Sequence, residues 1–162
     1  MASGGTRPGL GESRFSFGTT SAIMTNMGLI CGLDTLANAK RAIVGSILVI
    51  AFADNFSDSM GIHVFQESEG LGEKEVWLST ATNFFSRIVV SLSFIPLILA
   101  LPLGAAVPCA VAWGLALLSL MSYAIARDRG LAPGREILVH LCMAAFVTLS
   151  SHLAGKFLIA RF

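Results

Sequence analysis

Asp54, Asn55 and Asp58, in the stretch ADNFSDSMGIHVFQESE, set two carboxylates one helical turn apart with an amide beside them. On a helix, Asp54, Ser57, Asp58 and Gly61 share one stripe, and Asn55, Ser59, Ile62 and Gln66 flank it. Hard oxygen donors of this kind suit Mn²⁺ or Fe²⁺. The Met60 thioether and the His63 imidazole lie on a second line with Glu67 and shift the preference towards softer first-row ions. Two carboxylates a turn apart repel each other, so something positive belongs between them: a metal ion, a proton or a counter-charge. Arg87, expected about one turn inside the third apolar segment, is the counter-charge within reach of Asp58 as an internal salt bridge. Glu67, Glu69, Glu73 and Glu75 follow within nine positions. They read either as a solvated turn and helix start or as a vestibule that concentrates cations.

These residues follow AIVGSILVIAF, a run suited to lipid, and a carboxylate near a bilayer centre costs at least ~2.5 kcal/mol. The second half of this helix must therefore face protein or water. The chain has 162 residues, 54% of them hydrophobic and 13% charged, with a mean hydropathy of +0.75. Soluble domains carry about 25% charged residues, so the composition indicates a polytopic membrane protein. The expected fold is an all-α membrane protein with spans at about 17–33, 42–65, 82–101, 104–126 and 137–155. Pro102 and Gly104 divide the third from the fourth. Residues 1–16 read as a flexible cytoplasmic tail without an apolar signal core. Five spans place the termini on opposite sides. Arg7, Arg14, Lys74, Arg127, Arg129 and Arg135 then oppose Lys40, Arg41, Lys156 and Arg161. This bias puts the N-terminus in the cytoplasm and the C-terminus across the membrane, with the acidic loop 66–77 cytoplasmic. The short tail and loops fit a prokaryotic inner membrane.

A net charge of +1 excludes a strongly basic nucleic-acid binder. Cys31, Cys109 and Cys142 form no CxxC and read as small buried hydrophobes. No HExxH or GxSxG occurs. The Asp54–Asn55–Asp58 group has only Arg87 as a basic neighbour, where metal-assisted chemistry on a lipid phosphate needs several, so an enzyme with a resident cofactor is not expected. Thr25 and Asn26 place polar groups in the first span, where an interhelical hydrogen bond is the expectation, and Gly28 and Gly32 form a GxxxG contact motif. His140 and His152 fall about 120° apart on the last helix and read as packing or hydrogen-bonding residues.

TSAIMTNMGLICGL resembles the opening helix of the vacuolar iron transporter family, and SMGIHVF resembles that family's second-helix segment before an acidic cytoplasmic stretch. FIPLI in the third span and GREILVHLCMAAFVTLSSHLAGKFL at the end resemble family segments in the same order. The resemblance implies a five-helix protomer that forms a homodimer, with the ion path lined by the first two helices. It also implies proton-coupled movement of Fe²⁺ or Mn²⁺ out of the cytosol. Ser21 stands where the family carries its first-helix acid, and Phe52 stands where some members carry Glu. Asp54 and Asp58 are then expected to supply the charge from shifted positions. The alternative is a non-transporting scaffold or assembly protein in which Asp58–Arg87 is a structural ion pair.

Overall fold

Along 39–66, 76–98 and 106–126, buried positions recur every three or four residues, so each of these helices turns one stripe towards its neighbours. The computed structural model describes residues 10–161, with side chains from residue 18, and these residues are helical with no strand among them. The helical rods are α1 (Leu10–Leu33), α2 (Ala39–Ser68), α3 (Glu73–Ala100), α4 (Leu103–Asp128) and α5 (Pro133–Arg161). The last four are each long and apolar enough to cross a membrane; α1 is not in that group. α1 packs against α2, α3, α4 and α5. A rod enclosed this way needs little lipid-compatible surface, which explains how Thr19, Asn26 and neighbouring polar residues sit along it.

The rods are longer than the hydropathic segments. α1 begins at Leu10, inside the expected tail; residues 1–9 of that tail lie outside the described residues. The acidic loop 66–77 shrinks to a turn, because α2 runs to Ser68 and α3 starts at Glu73. Gly70 makes this turn at φ +73°, a backbone region that disfavours other residues. Glu73 and Glu75 then occupy the first turn of α3, where the helix dipole favours acids. The α3–α4 break falls at Leu101 and Pro102, both extended, as expected from the proline.

Two irregularities shape the interior. α2 contains a π turn at Ile50–Asp54, between α-helical Ala39–Val49 and Asn55–Ser68. α3 tightens at Phe94, whose N–H bonds to Ser91 O just before Pro96 removes a donor. An apolar core of Ile23, Met27, Ile30, Ile43, Ile47, Phe94, Ile98 and Leu118 joins α1, α2, α3 and α4. The GxxxG glycines serve a contact within the chain: a side chain at Gly28 would meet Val147 and Ser151 of α5 at 2.9–3.0 Å. A Cβ on Gly155 would collide with Gly32 O, so α1 and α5 approach backbone to backbone. Cys31 is buried, but Cys109 and Cys142 are exposed on the outer faces of α4 and α5, contrary to the expectation that all three are interior. Lipid-facing surface accepts a small apolar thiol as readily as a core does.

Candidate functional site

Ala39, Ile43, Ile47 and Ala51 form the buried line of the first part of α2. The same four-residue step continues through the π turn as Asn55, Ser59 and His63, followed by Gln66. The line thus changes from apolar to polar without leaving the interior. α3 runs antiparallel to it and answers each rung. Arg87 meets Asn55, Asn83 meets Ser59, Thr80 meets His63 and Ser79 meets Gln66. The last three hydrogen bonds are 2.9 Å each: Asn83 Nδ2–H to Ser59 Oγ, Gln66 Nε2–H to Ser79 Oγ, and His63 Nδ1 with Thr80 Oγ1. Thr80 gives its one hydroxyl proton to Val76 O at 2.8 Å, so the hydroxyl accepts from His63 Nδ1–H. The His63 ring also lies 4.4 Å from the Trp77 ring.

Arg87 is the centre of the ladder. It lies 14 residues into a 28-residue rod, about 21 Å from its start, so it sits near mid-height and not one turn in. Its side chain is 1% exposed. Nε–H donates to Asn55 Oδ1 at 2.8 Å, and Nη1–H donates to Gly18 O at 3.2 Å. Nη2 reaches Asp58 Oδ2 at 2.7 Å and Asp54 Oδ2 at 3.5 Å. Gly18 permits this approach, because a Cβ there would collide with Asn83 Oδ1 and stand 3.3 Å from Arg87 Cδ. A buried guanidinium spread over two carboxylates, an amide and a backbone carbonyl has most of its donors satisfied, which is the condition for tolerating it in the interior.

The acids themselves are not interior. The Asp54 and Asp58 side chains are 47% and 46% exposed, and Ser57 and Gly61 beside them are exposed on the outer face of α2. The flanking line of Asn55, Ser59 and Gln66 is the one turned inwards, with His63 added. Asn55 is held at both ends of its amide: Oδ1 accepts from Arg87 and Nδ2–H donates to Ala51 O at 3.1 Å. Its oxygen is turned to the guanidinium. Met60 is half-buried, and His63 Nε2 stands 3.5 Å from Glu67 Oε1, an ion pair only when the imidazole is protonated. Glu67 and Glu69 are exposed near the end of α2, and Glu73 and Glu75 are exposed across the turn. Among the described residues, no group of three or more His, Cys, Asp or Glu side chains is placed to hold a metal ion. Asn26 makes the expected interhelical bond, Nδ2–H to Ser91 Oγ at 2.9 Å. His140 bonds Ser122 Oγ and His152 bonds Cys31 O, in keeping with hydrogen-bonding roles.

Ser79 and Thr80 precede the expected start of the third span at Thr82 and Asn83 falls in its first turn, so the sequence alone assigns none of them a role. A signal was present: Val76, Thr80, Asn83 and Arg87 recur at four, three and four residues, the mark of one helical face. Compared with family models, with curated proteins and with solved structures, the chain matches none.

Proposed function

We propose that this chain is a transporter of divalent transition-metal cations, Fe²⁺ or Mn²⁺, acting as a homodimer of five-span protomers with the N-terminus cytoplasmic. The reading keeps to the resemblance to the vacuolar iron transporter family, with metal leaving the cytosol of a prokaryotic cell in exchange for protons. One observation carries it. Asp54 and Asp58 are half-exposed at mid-height on the outer face of α2, while Arg87, their one counter-charge among the described side chains, is buried behind them. Two carboxylates and one guanidinium leave a charge of −1 on each protomer. Facing lipid, that charge is costly; two such faces brought together hold −2, which one divalent cation neutralises. A cation and a proton compete for the same carboxylate, and this supplies the exchange. α1 supplies the fifth span, since rods packed around it relieve it of meeting lipid.

Flux in liposomes tests the reading. Purified protein with an imposed proton gradient is expected to give saturable Fe²⁺ or Mn²⁺ flux, little Ca²⁺ flux, and a loss of at least about tenfold in Asp54→Asn and Asp58→Asn. Undiminished flux in both variants sinks the assignment. The 2.7 Å Asp58–Arg87 contact favours a second reading, a non-transporting assembly protein stapled by this pair. A folded wild-type dimer that moves none of the three ions supports that alternative.

A further inference from the structure

A cavity of about 470 Å³ opens between α1, α4 and α5, away from the α2–α3 ladder. Its size is within the ~300–1,000 Å³ range of sites that bury a small organic ligand. The mouth carries Arg129, just past the end of α4, and Glu136, in the first turn of α5. Neither has an ion-pair partner among the described residues. One turn further in, His140 also lines the cavity. Ser122 gives its hydroxyl proton to Leu118 O at 2.6 Å, so it accepts from His140 Nδ1–H at 3.0 Å. That tautomer leaves His140 Nε2 as a bare acceptor.

The wall is graded. From Glu136 to Val147 it runs eleven residues along α5, about 16 Å, and its lining passes from charged to hydroxyl to apolar with Met24, Met143 and Val147. Among the described lining residues, one cation at the mouth accompanies two acceptors a helical turn apart. The complementary ligand has an anionic group for Arg129, a primary ammonium that donates to Glu136 and His140, and an apolar tail. We infer that this cavity binds an aminophospholipid, with phosphate on Arg129, ammonium on Glu136 and His140, and an acyl chain along Met143 and Val147.

The ammonium makes the inference specific. A choline headgroup is cationic but has no N–H to donate, and a glycerol headgroup has no cation. Native mass spectrometry of the full chain, given equimolar phosphatidylethanolamine, phosphatidylcholine and phosphatidylglycerol with identical acyl chains, is the test. One lipid per chain is expected, with phosphatidylethanolamine favoured about threefold to fivefold, the range of a partly exposed ion pair. Glu136→Gln is expected to bring phosphatidylethanolamine down to the level of phosphatidylcholine. Arg129→Gln is expected to lower retention of all three lipids. Met143→Trp, at an exposed position of the apolar lining, fills that end without altering charge and is expected to do the same, so a poorly folded charge variant does not remove the test. Equal retention by wild type, or a preference that survives Glu136→Gln, overturns the proposal. Displacement of the lipid by soluble glycerophosphoethanolamine at equal concentration also overturns it, because recognition would then need no tail.

Discussion

The two halves of α2 bury the same line of positions with opposite chemistry. Before the π turn, Ala39, Ile43 and Ile47 meet the apolar core shared by α1, α3 and α4. After it, Asn55, Ser59, His63 and Gln66 meet a polar face of α3. Van der Waals packing is forgiving: an isoleucine accepts many neighbours of similar size. A buried polar rung is not, since each donor needs its acceptor at the right distance. The first half therefore anchors the rod, and the second half fixes its register against α3 and sets where Asp54 and Asp58 emerge. A π turn between the halves is a recurrent feature of helices near functional sites.

Removing the centre of the polar half breaks this contrast most severely. Arg87→Met leaves Asn55 Oδ1 without its arginine donor, returns Gly18 O to its helical bond alone, and takes the counter-charge from two acids. A loss of about 3 kcal/mol is expected, the low end for a broken buried pair because the acids are half-exposed. Unfolding in denaturant-containing detergent measures it. Adding Asp54→Asn and Asp58→Asn to Arg87→Met removes the uncompensated charge and is expected to restore part of that loss. If the triple variant is no more stable than Arg87→Met, repulsion between the acids is not what Arg87 relieves.

The apolar half provides the next largest effect. Ile47→Ala is expected to cost about 2–3 kcal/mol by leaving a cavity at a fully buried position. It should leave the metal preference and half-saturation of the proposed flux unchanged, because Ile47 lies two turns from Asp54 and shares no hydrogen bond with the ladder. A changed preference in Ile47→Ala would show that the halves are coupled through the π turn.

Hydropathy and helical spacing made the rods, the break at Pro102 and the Asp58–Arg87 contact legible. They did not reveal which polar stripe of α2 faces inwards. Asp54, Asp58 and Asn55 are neighbours on one helix, and only the partner decides which is buried; Arg87 can reach past Asn55 and still touch both acids. Hydropathy also truncated α3, because Glu73, Lys74, Glu75, Ser79 and Thr80 lower the apparent apolarity of its first turns. α1, expected as a span at 17–33, is the rod whose polar middle keeps it out of the set apolar enough to cross a membrane, and the other rods enclose that middle. A π turn has no compositional signature, so the continuous buried line from Ile43 to His63 was not predictable from a regular helical period.

The smallest expected effect is the sharpest probe of the ladder. Thr80 both donates to Val76 O and accepts from His63, so its hydroxyl dictates the imidazole tautomer. Thr80→Val preserves shape but removes the acceptor, and a stability loss of about 1 kcal/mol or less is expected, near the mean for hydrogen bonds between membrane helices. The decisive readout is nitrogen NMR of the neutral His63 ring. Wild type should carry its proton on Nδ1, and Thr80→Val should shift the population towards Nε2–H, which the Glu67 carboxylate can accept. A wild-type ring protonated on Nε2 would mean that Thr80 donates to His63 and not to Val76. The rung would then be reversed, and the rigid polar half would owe less to backbone-anchored hydroxyls than to the side chains alone.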